Sequence, residues 1–374
     1  MPNKFKKLTI VTWLGAGNYG TCLQSFALNK KLENSGYDVH FLSFIDEQYS
    51  FRSKIKYILR LTGILNIIYL VMYLFESVQV RKRHKFQKMN YHLIEILTKE
   101  SEMNIVDYTD CFITGSDQIW NTCFRCSPSM FLSFAADKKR VAYASSIGAR
   151  GVKSEYKDEV RSLLNKFSHI GVREQEAVTV LSELTGRDDI RQVVDPTFLL
   201  TPNDWSDMSK DAEIEIPIPQ RYILCYLIGN NDWYESQLQN VRCKTGINDV
   251  IVIPSIENPG FTAQGAVVYK EACPVEFVYL IQHAVLVCTD SFHATALSIN
   301  HSVPFVEFMR FNDSDEQSQN SRIYDLLGRY HLMDRIYKKD SDAWLSFVDY
   351  QPVQEKLAED RKSSLDYLIN AIEN

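Results

Sequence analysis

The stretch that decides the fold is AVLVCTDSFHATALSI, residues 284–299. Its first half, rich in Val and Leu, predicts a strand buried on both faces, as in a parallel sheet. Asp290 and Ser291 are residue types that cap helices, and the small and apolar residues after them favour a helix. Asp290, Ser291 and His293 are therefore predicted at the carboxyl end of a parallel strand, where open α/β sheets bind ligands and helix N-termini attract anions. A histidine there either donates a proton to an anionic ligand or only packs against the turn.

The same alternation of strand and helix runs through the rest of the chain. Predicted strands at 8–13 and 39–44 enclose a helix in the first half, and strands at 222–227 and 250–253 enclose one in the second. The residues at the N-terminus that resemble a signal peptide are too few and lack a cleavage site, so they are predicted as the first strand. This pattern predicts an α/β fold with two Rossmann-like domains that face a cleft.

The length of 374 residues also suits two domains. Prolines and mixed charges in residues 202–219 are typical of a linker. We therefore expect an N-terminal domain over 1–200, a C-terminal domain over 201–335 and a helical segment over 336–374.

The composition excludes some classes of protein. Hydrophobic residues make up 45% and charged residues 24%, as in ordinary folded proteins. The net charge of -6 argues against general binding of nucleic acid, which needs a basic surface. The eight cysteines are scattered, which predicts buried thiols in a reducing cytoplasm rather than a disulfide framework. Cys123 and Cys126 form one CxxC motif without a second ligand pair, so we predict no metal site.

An apolar stretch and a basic run follow each other in the first half. Residues 61–75 are apolar but too few to span a bilayer, and residues 81–85 read RKRHK. The two together predict either contact with an anionic membrane surface or an amphipathic helix packed on its own domain. We favour the packed helix.

The loop after the first strand reads GAGNYG, residues 15–20. It matches the GxGxxG pattern of dinucleotide-binding proteins, and Asp46 lies near the end of the second strand. That pattern alone is a weak signal. The loop residues Gly17, Asn18 and Tyr19 suit hydrogen bonding and stacking on a sugar equally well.

Two further strand ends carry polar side chains. GSDQIWN, residues 115–121, follows a predicted strand, and Ser116, Asp117 and Gln118 are side chains that orient hydroxyl groups in binding sites. Arg173 follows the predicted strand 169–172. It either clamps a carboxylate or phosphate, or pairs with a neighbouring glutamate at the surface.

Taken in order, these motifs resemble the polysaccharide pyruvyl transferase family. The segments that carry the resemblance are GNYG (17–20), GSDQIWN (115–121), VRE (172–174), DPT (195–197), TDSFH (289–293) and SRI (321–323). The resemblance implies a glycosyltransferase-B-like fold whose C-terminal helix packs back on the first domain. It also implies transfer of pyruvate from phosphoenolpyruvate to a sugar of a bacterial capsular polysaccharide or exopolysaccharide precursor, which leaves a cyclic ketal.

The family's donor site implies a cluster of cations around His293. Relatives carry an arginine two residues before this histidine, where the present chain has Ser291. We therefore expect other arginines to supply the missing charge. The candidate donor-binding residues are Arg173, Ser291, Phe292, Arg310 and Arg322.

Acid–base roles follow from the chemistry of an enol ether. His293 is the candidate general acid, and Asp117, together with Asp290, is the candidate base. The candidate acceptor-binding residues are Gly17, Asn18, Tyr19, Ser116 and Gln118. Arginines and the helix N-terminus supply the charge, so this chemistry requires neither a metal nor a bound cofactor.

The predicted partners are phosphoenolpyruvate and a sugar acceptor, for which a lipid-linked oligosaccharide at the inner face of the membrane would fit. Three other functions stay open. The two-domain shape suits a nucleotide-sugar glycosyltransferase, and the glycine loop suits a NAD(P)-dependent oxidoreductase. Because Ser291 replaces an arginine, the chain could also be a non-catalytic glycan-binding homologue.

Overall fold

The computed structural model describes residues 6–15, 18–43, 78–95, 99–124, 126–148, 151–315 and 318–374. The helices in this part of the chain are α1 (Tyr19–Asn34), α2 (Val78–Asn90), α3 (Lys99–Tyr108), α4 (Lys157–Leu164), α5 (Gln175–Thr185), α6 (Pro202–Ser209), α7 (Tyr234–Thr245), α8 (Pro274–His283), α9 (Phe292–Asn300), α10 (Ser321–Arg329) and α11 (Tyr350–Glu373). The strands are β1 (Lys7–Val11), β2 (Asp38–Ser43), β3 (Leu93–Glu95), β4 (Cys111–Thr114), β5 (Lys139–Ser145), β6 (His169–Val172), β7 (Arg191–Gln192), β8 (Ile223–Tyr226), β9 (Val250–Val252), β10 (Val267–Val268), β11 (Leu286–Thr289) and β12 (Phe305–Glu307).

The contacts divide the chain into two compact units. Unit 1 comprises Met1–Leu14, Ser25–Asp195 and Asp366–Asn374, and unit 2 comprises Gly15–Gln24 and Pro196–Leu365. The observed change of unit after Asp195 lies close to the expected boundary at 200. The sequence did not indicate that residues 15–24 belong with the second half of the chain.

Unit 1 contains a seven-stranded sheet in the order β3-β2-β1-β4-β5-β6-β7, and every pairing is parallel. Its central strands are short apolar segments without a polar face, and β4 is buried at all four positions. The strand order reverses between β1 and β4, which places the loops after these two strands at a topological switch point. The loop after β4 is GSDQIWN, the polar motif singled out above.

Unit 2 contains a five-stranded parallel sheet in the order β10-β9-β8-β11-β12. All four residues of β11 are buried, with β8 on one side and β12 on the other. The strand and helix predicted from residues 284–299 are thus confirmed. Here the order reverses between β8 and β11, so the loop that carries His293 lies at the switch point of this sheet.

The C-terminal helix α11 ends in unit 1. Lys6 Nζ and Lys139 Nζ both donate to the carbonyl oxygen of Ile372, at 2.6 and 3.2 Å. These bonds satisfy a carbonyl group at the end of the helix, where no N–H group of the helix can reach it. The expected return of this helix to the first domain is confirmed, as is the α/β class with two parallel sheets.

The predicted basic run is helical, since residues 81–85 lie within α2. The apolar residues 61–75 and Asp46 lie outside the described residues. In the described part of the chain, no helix combines the length and the hydropathy needed to cross a membrane.

Candidate active site

His293 lies in the first turn of α9, at the carboxyl end of β11. Ser291 is the N-cap residue and has extended backbone angles, and the helix begins at Phe292. Every residue of α9 is buried. Its sequence FHATALSIN is rich in small residues, which lets the helix pack closely, while His293 keeps 6% of its surface exposed. The imidazole is thus held at a helix N-terminus, where backbone N–H groups favour an anion.

Gly20 packs directly against this imidazole. A β-carbon built on Gly20 would lie 2.1 Å from Nδ1 of His293 and 2.7 Å from its Cβ, well inside van der Waals contact. Both residues belong to unit 2. The last glycine of the GAGNYG loop is therefore required by a close approach of backbone to the histidine, which is a different role from a pyrophosphate turn.

Asp290 is fully buried and holds the surrounding loops in place. Its carboxylate accepts hydrogen bonds from the backbone N–H groups of Ile228 (2.6 Å) and Gly229 (2.7 Å). It also accepts from the hydroxyl of Tyr234 (2.8 Å) and from Nε of Arg310 (3.1 Å). Four donors occupy its oxygens. The geometry therefore makes Asp290 a positioning residue and does not support the predicted role as a base.

Arg310 lies just beyond β12, beside the loop that leads to α9. Nη2 of Arg310 donates to the backbone carbonyl oxygen of Asp290 (2.8 Å), in addition to the bond from Nε to the carboxylate. These bonds leave Nη1 for another acceptor. Arg310 is about one-fifth exposed, so a ligand can reach it. Arg310 is thus a cation of unit 2 fixed next to the N-cap residue Ser291.

Arg322 also belongs to unit 2, in the first turn of α10. It is 8% exposed, and its Nη2 donates to Oε1 of Gln319 (2.7 Å). The positive charges of Arg322 and Arg310 both act on the buried carboxyl group of Glu307. Both arginines therefore lie within electrostatic reach of Glu307, the last residue of β12. Of the three arginines proposed to replace the missing one at Ser291, these two share a unit with His293.

Glu307 is a site residue that the sequence analysis missed. It ends β12, is buried, and accepts a hydrogen bond from the hydroxyl of Thr295 in α9. Burial raises the pKa of Glu307 to about 8, against the opposing effects of the Thr295 hydrogen bond and of the Arg310 charge. The only signal in the sequence was a carboxylate after two apolar residues at a strand end. Burial thus favours the protonated form of this carboxyl group near pH 7, and Glu307 is bonded to the helix that carries His293.

Two predicted acceptor-binding residues have structural roles instead. Oδ1 of Asn18 accepts from the backbone N–H of Gly20 (2.9 Å), which caps the start of α1. The ring of Tyr19 is 1% exposed and stacks on Phe277 at 4.6 Å, and its hydroxyl donates to the carbonyl oxygen of Ala272. Because both faces of this ring lie in the core, Tyr19 does not stack on a sugar. Gly17, the third residue predicted in this loop, lies outside the described residues.

Unit 1 carries its own polar cluster after β4. Oγ of Ser116 donates to Oδ2 of Asp195 (2.9 Å), and Ser116 is fully buried, so the geometry does not support its predicted role in acceptor binding. Asp117 has a φ of 72° and is 6% exposed, and its Oδ1 accepts from the N–H of Gln118. A positive φ is uncommon for a residue other than glycine, so the surrounding structure holds Asp117 in this left-handed conformation.

Gln118 is the most accessible of the predicted side chains in this loop, since it is half-buried. Its Oε1 accepts from Nδ2 of Asn121 (2.8 Å). The two amides lie against Gly148, where a β-carbon would come within 2.1 Å of Oε1 of Gln118. Gln118 and Asn121 therefore form a fixed pair of amide groups at the switch point of unit 1, suited to hydrogen bonds with hydroxyl groups.

Arg173 does not share a unit with His293, and its charge is already compensated. Its side chain is 2% exposed and donates to Glu174 (2.8 Å) and to Asp195 (3.1 Å). Burial alone would lower the pKa of Arg173, but the carboxylates of Glu174 and Asp195 raise it overall. The geometry does not support the predicted role in donor binding: Arg173 holds together the buried carboxylates at the ends of β6 and β7. The pairing with Glu174 that the sequence also allowed is present, but inside unit 1 and not at its surface.

The cysteines provide no metal site in the described residues. All eight are free thiols, including Cys123 and Cys126 of the CxxC motif. The described part of the chain contains no group of three or more His, Cys, Asp or Glu side chains placed to hold a metal ion.

Several solved structures are similar to the chain over most of its length. One is a proposed UDP-N-acetylglucosamine 2-epimerase from Listeria monocytogenes, with 12% identity, a TM-score of 0.49, and coverage of 98% of this chain and 91% of that chain. Another is UGT89C1 from Arabidopsis thaliana in complex with UDP-L-rhamnose, with 11% identity, a TM-score of 0.49, and coverage of 98% and 94%. A third is UDP-GlcNAc 2-epimerase from Methanocaldococcus jannaschii, with 11% identity, a TM-score of 0.48, and coverage of 94% and 99%. At these identities and scores the likeness says nothing about activity.

Comparison of the sequence with family models is more informative about the family than the likeness to solved structures. No curated protein matches the chain significantly. The family model for polysaccharide pyruvyl transferase matches residues 18–309, which is well over half of the chain. The match includes the loop after β4 and the loop between β11 and α9. The family expected from the ordered motifs is confirmed. The chain belongs to the polysaccharide pyruvyl transferase family and is thereby a transferase.

Proposed function

We propose that the protein transfers pyruvate from phosphoenolpyruvate to two hydroxyl groups of a sugar in a capsular polysaccharide or exopolysaccharide precursor, forming a cyclic ketal. The family match supports the class of reaction. The observation that carries the choice of donor is the placement of His293 in the first turn of α9, with Arg310 fixed beside the N-cap. A histidine, an arginine and a helix N-terminus in one unit suit a small polyanion.

The donor would bind through its charged groups. Phosphoenolpyruvate carries a carboxylate and a phosphate, and Nη1 of Arg310 offers hydrogen bonds to either group. The N–H groups in the first turn of α9, near Ser291 and Phe292, would face the other anionic group. Arg322 would add positive charge at the end of β12. Asp290 neutralises part of the charge of Arg310 but fixes its direction, which lowers the entropy lost on binding.

His293 would supply the first proton. Protonation of the methylene carbon of the enol ether turns it into a methyl group and leaves positive charge on the neighbouring carbon. His293 lies in the first turn of α9, where the bound donor would meet it, and a positioned imidazole is a common general acid.

The acceptor would complete the ketal. A sugar hydroxyl adds to the positive carbon and loses its proton, phosphate leaves with its bonding electrons, and a second hydroxyl closes the ring. Two hydroxyl protons are released: one balances the proton that His293 gave to the methyl group, and the departing phosphate takes up the other. In this proposal Asp117 is the base, and Gln118 with Asn121 orients the acceptor.

We further propose that the reaction takes place in the cytoplasm, on a lipid-linked acceptor. The eight free thiols suit a reducing compartment. We place the acceptor on a lipid because, in this proposal, the enzyme acts on the precursor at the inner face of the membrane before the precursor is exported.

Ligand-induced stabilisation tests the choice of donor. Phosphoenolpyruvate should raise the melting temperature of the wild type, increasingly with the logarithm of its concentration above Kd, whereas UDP-sugars and NADH should not. Incubation with phosphoenolpyruvate and an oligosaccharide acceptor should release inorganic phosphate and add a ketal to the sugar. A melting shift with UDP-sugars alone would favour a glycosyltransferase, and one with NADH an oxidoreductase. Glycan binding without any phosphoenolpyruvate response would indicate a non-catalytic homologue.

A further inference from the structure

Helix α2 has one buried face and one basic face. Arg83 and Phe86 are buried, and Nε2 of Gln87 donates to the carbonyl oxygen of Leu14 (3.0 Å). The ring of Phe86 packs on Phe26 of α1, with centroids 5.6 Å apart. These contacts determine which side of α2 packs against unit 1. The packed amphipathic helix favoured by the sequence is therefore present, but it accounts for only one side of α2.

The opposite side carries the basic run. At about 100° per residue, the positions facing away from Arg83, Phe86 and Gln87 form one continuous strip. We call this strip the basic face of α2; its residues are Val78, Arg81, His84, Lys85, Lys88 and Met89. Lys85, Lys88 and Met89 are exposed, and Met89 exposes 73% of its surface.

The basic face differs from an ordinary solvated helix surface in two respects. The helix sequence VQVRKRHKFQKMN contains no acidic residue, although the whole chain has a net charge of -6. Soluble surfaces normally mix charges of both signs. Exposed apolar side chains also flank the cations, namely Val78 (40% exposed) and Met89, and Leu93 in the edge strand β3 is 44% exposed.

We propose that the basic face of α2 docks the protein on an anionic lipid bilayer. Lysines next to an anionic leaflet gain electrostatic attraction, and their long side chains let the charge reach the headgroups. Met89 and Val78 would enter the boundary between headgroups and acyl chains, as the apolar face of an interfacial helix does. A nucleic acid fits less well, because a phosphate backbone offers nothing to exposed apolar side chains. This inference stands apart from the pyruvyl transfer proposed above and does not depend on it.

Sedimentation with vesicles tests the proposal on the full chain. The protein should sediment with vesicles containing about 30% phosphatidylglycerol and not with phosphatidylcholine alone, and added salt should release it. The double variant Lys85→Glu/Lys88→Glu should bind at least about 25-fold more weakly, since each cation near the surface contributes about fivefold. Met89→Ser should weaken binding to the vesicles even at low salt. This loss would show that insertion of the apolar side chain contributes to binding in addition to the charge of the lysines.

The control has the same change of charge elsewhere. Lys338 and Lys339 are exposed in unit 2, so Lys338→Glu/Lys339→Glu alters the net charge equally without touching α2. This variant should bind vesicles like the wild type. All variants should keep the wild-type melting temperature. Equal loss of binding in both double variants, equal binding to both kinds of vesicle, or binding to nucleic acid but not to vesicles would overturn the proposal.

Discussion

The α-carbon of Gly20 lies so close to His293 that a β-carbon there would come within 2.1 Å of the imidazole Nδ1. The glycine belongs to the loop that precedes α1, and the histidine to the first turn of α9, yet both are part of unit 2. The glycine loop therefore forms one wall of the histidine's environment. Any side chain at position 20 has to displace the imidazole or the backbone.

Replacing Gly20 should disturb catalysis through His293. In Gly20→Ala, the new methyl group should push the imidazole away from its position and lower the rate of transfer by about 10²-fold, as expected for a misplacement of about 1 Å. Overpacking should also reduce the free energy of unfolding by about 1–3 kcal/mol. Gly328→Ala is the matched control, because Gly328 lies in helix α10 with nothing within 4 Å of its built β-carbon. Equal activity in the two variants would show that His293 tolerates displacement.

His293→Ala should lower the rate of transfer by about 10²-fold or more, from the usual contribution of a general acid. Circular dichroism and thermal melting should show a folded protein. The measurement is phosphate release at saturating phosphoenolpyruvate, so that the effect on the rate is separated from that on donor affinity. Near-wild-type turnover would remove His293 from the mechanism.

Arg310→Lys should weaken donor binding by about 10-fold or more, because a lysine keeps the charge but loses the planar fork that holds both Asp290 and an anionic ligand. The apparent affinity for phosphoenolpyruvate, from melting shifts over a range of concentrations, gives the readout. Arg329→Lys is a suitable control, since Arg329 is paired with Asp360 in the same unit (2.7 Å). If Arg310→Lys binds the donor as tightly as the control does, Arg310 is not a donor ligand.

Arg173→Ala should affect the fold and not the donor. Removing this guanidinium leaves Glu174 and Asp195 buried without a cation, which typically costs about 3–5 kcal/mol of unfolding free energy. Urea unfolding measures this loss. The folded fraction should bind phosphoenolpyruvate with wild-type affinity. A variant of normal stability with weakened donor binding would restore Arg173 to the donor site.

Glu307 predicts a dependence of stability on pH. Burial raises its pKa to about 8 in the folded protein from the ordinary value of 4.5, so between these two pH values the folded state holds a proton that the unfolded state has released. The stability due to this group is complete below about pH 4.5 and is lost as the pH rises through about 8, at about 1.4 kcal/mol per pH unit. Glu307→Gln cannot ionise, so its stability should fall less than that of the wild type between pH 5 and 8.5.

Thermal melting at several pH values measures this difference. His301 acts in the opposite direction in both proteins, because burial lowers its pKa to about 4 and its contribution is lost only as the pH falls below about 6.5. Above pH 6.5, the difference between the wild type and Glu307→Gln therefore reports on Glu307, because the other titrating groups are common to both proteins. Parallel curves for the wild type and Glu307→Gln in that interval would show that Glu307 is already ionised.

Much of the fold followed from local patterns. The apolar run before Asp290 and the small residues after it determine a buried strand and a helix, because these preferences depend on near neighbours in the chain. The same reasoning placed His293 in the first turn of a helix, and the order of the motifs indicated the family. Polar residues after β4 were likewise found at a strand end.

The tertiary structure alone decided which polar residues remain available to a ligand. The donors to Asp290 come from the loop after β8, from α7 and from the end of β12, and the carboxylates around Arg173 come from the ends of two strands. Burial of Glu307 and of the Tyr19 ring depends on helices packed over them. Burial and hydrogen-bond partners arise between segments far apart in the chain, and no local sequence preference encodes them. The sequence by itself thus determined the secondary structure and the family, and the packing determined which side chains remain available for chemistry.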